Sequence, residues 1–442
     1  MASQPNLAER SMAVGLRALN RLAASDLLDR LGLREPTERL LHGASKTTAR
    51  TAARAGRTFK AAQKLSGPAR QPRAGRSDLF DLEPTDEQQM LQESVRDFSI
   101  AKLRPAAGAA DAACETPDAL LRQSNELGLT IVGVPESLGG AVEQRSAVTS
   151  ALMSEALAQG DPGIAVACLA PAAVSTAISL WGDAEQQAAY LHEFVGDSPP
   201  AAALAVLEPR PIFDPFKLQT RARQTDGGYV LDGVKSLVPR SSDGELFIVA
   251  AEVDGRGPAL LIVESKTPGI SVEPEPAMGI RAAATGKLIF ENVRLPADAL
   301  LGDADPEVYA ECVQLARLGW CAVAVGTGQA VLDYVIPYVN ERRAFGEPVA
   351  NRQAVAFMVA NIAIELEGMR LATYRAVSRV DQGLPFAREA ALARRLCAER
   401  GMAIGSDGVQ LLGGHGYVKE HPVERWYRDL RAAGLMEGAL LV

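Results

Sequence analysis

The sequence predicts an α+β protein built from an N-terminal helical domain, a central β domain and a C-terminal helical domain. Three observations predict it. Apolar residues recur at helical spacing from residue 85 to 198, and again after 306. Between 201 and 302 the period shortens to that of strands, with Asp-Gly turns at 226–227 and 254–255. At 442 residues the chain has room for two or three folded units with a substantial core.

Residues 1–80 form a basic N-terminal extension. Up to Arg76 they hold 15 Lys and Arg against five acids, a net +10 in a chain whose total is -8, so the remainder carries -18. From Ala44 to Arg76 there are nine bases and no acid, a run that seeks an anionic partner. Met12, Leu16, Leu19 and Leu22 sit at helical spacing, the pattern of an amphipathic helix on a membrane surface or a partner. A poorly ordered extension and a transit peptide are the alternatives; five acids count against the second. Only Phe59 could stack on a base in the run from Ala44 to Arg76, so nucleic acid is not an expected partner.

The N-terminal helical domain is expected over 81–200. Thr85 and Gln88 make a capping box, Leu91, Val95 and Phe98 share one face, and Pro105 is read as the stop. Thr116-Pro117 reads as the N-cap and first position of the next helix, and 147–160 and 171–182 continue helically. The β domain is expected over 201–304, with strands at 202–206, 229–234, 246–253, 259–263 and 287–290. In the C-terminal domain, 305–442, helices are expected at 306–341, 351–382, 386–411 and 422–433, punctuated by Gly346, Gly383, Pro385 and Gly413-Gly414. Five cysteines without CxxC spacing point to reduced thiols rather than a disulfide framework or a zinc site. No run of about 18 uninterrupted apolar residues is present, and no span across a bilayer is expected.

A helix, strand, helix order favours a ligand where the blocks meet. The motifs go further. They are Met278–Pro296 (MGIRAAATGKLIFENVRLP), Glu341–Pro348 (ERRAFGEP) with Gln353, Gln410–Tyr417 (QLLGGHGY), Pro422–Asp429 (PVERWYRD) and Met436–Ala439 (MEGA). In this order and spacing the chain resembles the acyl-CoA dehydrogenase family from about residue 85 to the end. The resemblance implies a C-terminal four-helix bundle and noncovalent FAD between the β domain and the C-terminal helices. It also implies oxidation of the Cα–Cβ bond of an acyl-CoA thioester to a trans-2-enoyl-CoA, with electrons leaving to an electron-transfer flavoprotein.

That reaction needs a carboxylate base facing the flavin across the substrate. Glu437 matches the family's base; the positions where other members carry it, Leu315 and Ala316, are not acids. Arg342 and Phe345 match residues that reach the FAD of a neighbouring subunit, Gln353 belongs to the same segment, and Gln410, Gly413 and Gly414 match a second cofactor-approaching segment. A homodimer or homotetramer follows from that reading. A surface ion pair of Arg342 with Glu341 or Asp381 is the plainer alternative, and His415 is read as a polar loop residue without metal-binding company. The implied location is the cytoplasm, with a peripheral place on the inner face of the membrane through the arm, or the mitochondrial matrix if the protein is eukaryotic.

Two β-domain signatures depart from the family. Where members carry TEPGAGSD, with a Thr on the flavin and a Ser near the substrate, this chain has Leu207–Asp214 (LEPRPIFD). Where members place an aromatic and a Thr on the flavin in K-x-W/F-I-T-N, it has Lys235–Arg240 (KSLVPR). These losses keep open a second expectation, a non-catalytic or half-active subunit of a hetero-oligomeric dehydrogenase. A third, an arm that binds nucleic acid on a dehydrogenase scaffold, is weakened by the missing aromatics.

Overall fold

The computed structural model describes residues 83–140, 145–196 and 198–439. The basic extension, with its charge run and its Met12 to Leu22 stripe, lies outside the described residues.

The first helical block comprises α1 (Asp86–Phe98), α2 (Arg104–Ala113), α3 (Asp118–Asn125), α4 (Ala147–Ala158), α5 (Pro162–Trp181) and α6 (Ala184–Val195). The Thr85 capping box forms in both directions, the side chain accepting from Gln88 N at 3.2 Å and Thr85 N donating to Gln88 Oε1 at 3.1 Å. Pro105 does not stop the chain. Residues Ser99–Leu103 make a π-helical turn, and Pro105 falls in the first turn of α2, where its missing N–H costs least. Thr116 is not a cap either: its hydroxyl donates to Ala282 O at 2.7 Å, tying this block to the β domain, and α3 starts one residue later than expected.

Helix α5 and the later α7 are long and apolar enough to cross a membrane by length and composition, which a count of uninterrupted runs missed. Two thirds of the apolar window in each is buried inside the protein, so their apolarity serves the core.

The β domain is an eight-stranded sheet. Its strands are β1 (Ala202–Ala205), β2 (Arg221–Thr225), β3 (Gly228–Val238), β4 (Leu246–Val253), β5 (Gly257–Glu264), β6 (Ile270–Pro274), β7 (Gly286–Pro296) and β8 (Leu300–Leu301). They run in the order β6-β7-β3-β2-β4-β5-β8, with β1 parallel to β4. Asp226-Gly227 forms the tight β2–β3 turn, Thr225 pairing with Gly228. Three strands went unread: β2 (RARQT) and β6 (ISVEP), which are polar and largely exposed and carry no apolar alternation, and β8, which is two residues long. A register shift between Lys235 and Val238 places Leu237 at φ +51°, so the strand bends where the departed flavin signature lies.

The last block holds α7 (Pro306–Glu341), a short hairpin β9 (Arg343–Ala344) and β10 (Glu347–Pro348), α8 (Gln353–Asp381) and α9 (Ala387–Leu412). The segment expected as a helix over 422–433 is two short helices, α10 (Val423–Asp429) and α11 (Ala432–Leu435). Trp426, Met369, Val331 and Leu430 fill the core shared by α7, α8 and α9, and Ala147 and Ala151 bring α4 against it. A buried ion pair locks the blocks together: Asp161, the N-cap of α5, accepts from Ile164 N at 2.9 Å and from Arg425 of α10 at 2.9 Å. All five cysteines are free thiols.

Candidate active site

Helices α4, α5 and α7, the start of the β domain and the turn after α11 enclose an apolar cavity of about 240 Å³. Small side chains such as Gly133, Ala170, Ala173, Ala316 and Gly319 give it room. Among the described residues two charged side chains line it, Glu437 and Arg145.

Glu437 sits on the turn that follows α11, at φ +53°, and its neighbour Gly438 is at φ +107°. Backbone contacts fix that turn from three directions. Arg317 of α7 donates to Glu437 O through Nε at 3.0 Å and Nη2 at 2.8 Å. Arg394 of α9 donates to Gly438 O, and Ala439 N donates to Phe213 O at 2.9 Å. A Cβ at position 438 would stand 2.6 Å from Pro215 Cδ and 2.9 Å from Arg317 Nη2, so only glycine fits. The backbone is pinned while the carboxylate stays available, and its buried Oε2 has no hydrogen-bond partner among the described residues. Burial raises the Glu437 pKa to about 7, against the pull of the Arg394 and Arg317 guanidinium groups and the Trp320 indole. A carboxyl poised there is able to take a proton near neutral pH. The lining thiol of Cys312 is pushed far up by burial and then by Glu437, so it stays protonated and has no nucleophilic part.

The β-domain wall shows why some signature residues persist beside altered ones. Glu208 accepts from Gln219 N at 2.8 Å, from Thr220 N at 2.9 Å and from the fully buried Lys235 at 3.1 Å; Lys235 also donates to Val206 O at 3.1 Å. Burial works to raise Glu208, but Lys235 and the two amides win and hold it low. Lys235 itself is lowered to about 8, since the cost of burying its ammonium exceeds what Glu208 returns. This pair clips the loop after β1 to β3, a structural task independent of cofactor.

The altered residues of the loop have another task. Arg210 lies over the Phe213 ring at 5.1 Å and donates to Asp214 O at 3.1 Å and to Lys217 O. Phe213 is buried, and its carbonyl and Pro215 press on the Glu437–Gly438 turn. The loop thus supplies a wall beside Glu437. Leu207, Leu237 and Pro239 offer no hydroxyl and no aromatic ring, and Pro239 lines the cavity.

The other expected site residues are elsewhere, on an exposed edge of the C-terminal block. Arg342 is exposed at the end of α7, and among the described residues no ion pair or hydrogen bond of its guanidinium is found, neither with Glu341 nor with Asp381, whose oxygens take Ser146 Oγ and the Ala147 and Val148 amides. Phe345, at the tip of the β9–β10 hairpin, is 95% exposed, with the Arg352 guanidinium over its ring at 5.7 Å. Gln353 begins α8 beside it, and Gln410 is exposed near the end of α9. At Gly413 and Gly414 an added Cβ would meet nothing within 4 Å. Tyr338 connects these pieces, donating to Leu412 O at 3.3 Å and pairing with His415 Nδ1 at 2.9 Å. His415 stacks on His421 with ring centroids 5.1 Å apart, so it belongs to an aromatic cluster as well as a loop.

The structure therefore separates the expected base, inside the cavity, from the expected cofactor contacts, on an open surface. An unpaired guanidinium, open glycine backbone and an exposed aromatic ring suit a large anionic, aromatic group. Those features fit FAD. The sequence reading missed Arg145, Arg317, Trp320 and Arg394. None stands in a motif, and only the fold brings them to the cavity or the Glu437 turn.

The site thus offers a pinned carboxylate, able to take a proton near neutral pH, on the wall of an apolar cavity. Residues 85–197, 203–293 and 307–440 match the N-terminal, middle and C-terminal domains of acyl-CoA dehydrogenase. The chain is 33% identical over 370 residues to the mitochondrial short-chain specific acyl-CoA dehydrogenase of Mus musculus, covering 81% of this chain and 88% of that protein. Its fold matches butyryl-CoA dehydrogenase from Megasphaera elsdenii with a TM-score of 0.76 at 29% identity, covering 82% and 97% of the two chains. A glutaryl-CoA dehydrogenase from Mycobacterium smegmatis, solved in complex with FADH2, shares the fold with a TM-score of 0.74 at 24% identity, over 81% and 92%. The chain belongs to the acyl-CoA dehydrogenase family, FAD-dependent oxidoreductases of fatty acid metabolism.

Proposed function

We propose that this protein dehydrogenates an acyl-CoA thioester to the trans-2-enoyl-CoA, with Glu437 as the base that removes the α proton and electrons passing to an electron-transfer flavoprotein. The observation that carries this reading is Glu437 itself: a buried carboxylate on the cavity wall, with a pKa of about 7 and an unpartnered oxygen. Bound FAD supplies the acceptor for the β hydride. The chain's own residues hold the Glu437 backbone rigid, exclude water with an apolar lining and keep the carboxylate ionisable near neutral pH. Arg342, Phe345, Gln353, Gln410, Gly413 and Gly414 would hold the FAD of a neighbouring subunit, which makes the working unit a homodimer or homotetramer. Exposed Phe357 and Ile364, seven residues apart on α8, give such an assembly an apolar surface to cover. The mitochondrial relatives support the matrix as its location if the protein is eukaryotic.

A second reading, a half-active subunit that works with a paralogue, is favoured by Leu207, Leu237 and Pro239, which remove the flavin's expected partners on this chain. Proton exchange decides whether Glu437 acts. In D2O, holoenzyme with a thioester analogue that cannot lose a β hydride should wash deuterium into the α position, and Glu437→Gln should stop the exchange at unchanged flavin content. Exchange that persists in the variant would remove Glu437 from the mechanism.

A further inference from the structure

We propose that His415, stacked on His421, takes up a proton and draws the diphosphate of FAD to the turn Gly413–Tyr417, so that the chain holds FAD more tightly as pH falls; this rests on the reading that this edge of the C-terminal block binds FAD. The two imidazole rings lie 5.1 Å apart with 12° between their planes. Tyr338 of α7 stands edge-on to both, at 6.0 and 5.8 Å, and Tyr334 stands edge-on to His421 at 6.1 Å. Both Nδ1 atoms are engaged, that of His415 by the Tyr338 hydroxyl at 2.9 Å and that of His421 by the Tyr334 hydroxyl at 2.7 Å. Among the described residues neither Nε2 has a partner and neither is buried, so both meet solvent.

The tyrosines decide which ring takes the charge. Tyr338 gives its proton to Leu412 O at 3.3 Å, so its oxygen accepts from His415 Nδ1–H and His415 Nε2 is left as a bare lone pair. A proton added there disturbs no bond. The Tyr334 hydroxyl has no other acceptor among the described residues, so it donates to His421 Nδ1, and that ring already carries its hydrogen on Nε2. Charging His421 would cost that bond, and charging both rings would set two cations 5.1 Å apart. The pair therefore holds one proton, at His415 Nε2.

The surrounding charges leave that proton without a counter-ion. On α7, Asp333 takes Gln329 Nε2 at 2.8 Å, and Glu341 is exposed at the end of the helix. Lys419 and Glu420 are exposed on the loop itself, and Asp407 is half-buried on α9. On α10, Glu424 is held by Arg428 and Arg425 by Asp161, each at 2.9 Å. Among the described residues none of these bonds either imidazole. The anion comes from the ligand: His415 directly follows Gly413 and Gly414, whose backbone is open to approach, and Arg342 N donates to Tyr338 O at 2.8 Å. One tyrosine thus joins the turn to the residue with the free guanidinium, and a charged His415 adds a second N–H donor for a diphosphate.

The test dilutes the full-length holoprotein and reads released FAD by its fluorescence at about pH 6 and pH 8.5, on either side of the ordinary imidazole value of about 6.5. A proton favoured by the bound anion strengthens binding at the lower pH, and the gain is lost as pH rises. The wild type should hold FAD at least about fivefold more tightly at the lower pH. His415→Gln should lose that ratio while matching the wild type at the higher pH, where the ring is neutral, whereas a merely structural role would weaken binding at both. His421→Gln, which keeps an acceptor for Tyr334, should retain the ratio. Comparing ratios between proteins cancels the titration of Glu437. A wild type without the pH ratio, or a His415→Gln variant that keeps it, would overturn the proposal. Arg342→Ala checks the reading beneath it and should weaken FAD equally at both pH values. No weakening there would remove FAD from this edge and the proposal with it, while weakening beside a flat wild-type profile would refute the histidine proposal alone.

Discussion

Replacing Glu437 with Gln should stabilise the folded protein at alkaline pH while abolishing turnover. The carboxyl is raised from its ordinary 4.5 to about 7 because burial disfavours its charge. Such a group binds its proton more tightly folded than unfolded, so its contribution is full below pH 4.5, declines as pH rises and is lost above 7. At about 1.36 kcal/mol per pH step, the wild type gives up about 3 kcal/mol between about pH 4.5 and pH 8.5 through this one residue. The neutral amide of the Glu437→Gln variant has no proton to lose. Denaturant unfolding of both proteins at about pH 5 and pH 8.5 isolates the effect as a difference of differences, in which all other titrations cancel. The variant should gain on the wild type by about 2 to 3 kcal/mol as pH rises. The same ionisation sets the activity profile, with turnover rising through about pH 7 as the base loses its proton. A variant that tracks the wild type at both pH values would show Glu437 to be an ordinary solvated acid and would refute the argument from burial.

Three further outcomes are expected. Asp161→Ala removes a helix cap and strands the buried Arg425, so it should cost about 3–5 kcal/mol, seen as a lower melting temperature at unchanged quaternary structure. Arg342→Ala should release flavin on gel filtration, and full retention of the yellow colour would remove that residue from the cofactor site. Deleting residues 1–76 should abolish sedimentation with anionic liposomes without loss of flavin, and about 0.5 M salt should mimic the deletion because charge attraction is screened within about 10 Å. Equal sedimentation of the two chains would leave the extension without a membrane role.

Helices with strong caps and strands buried on both faces were legible in the sequence, as α1 and β4 show. Leu246–Val253 opens with six consecutive apolar residues and could be read to the residue. What escaped were elements shaped by context. The polar strand β2 and the edge strand β6 lack apolar alternation, and a π turn carries the helical chain into Pro105 where the proline was read as a stop. At the site, the motif singled out Glu437 but gave no sign of its buried setting, which α7, α9 and the Phe213 loop build together. The loop Leu207–Asp214 read as loss alone; in three dimensions Phe213 and Pro215 are gained contacts that steady the Glu437 turn. Arg145, two residues ahead of α4, gave no signal, because an arginine before an N-cap ordinarily faces water.

The central claim, that this chain oxidises an acyl-CoA with its own Glu437, is tested most directly by anaerobic titration of the purified holoprotein with short acyl-CoA thioesters, followed at the flavin absorption band. The account predicts that the oxidised band bleaches stoichiometrically in the wild type and remains in Glu437→Gln, with enoyl-CoA recovered only from the first. A protein that carries flavin yet keeps its full absorption with every thioester, or a variant that bleaches as fast as the wild type, would contradict it.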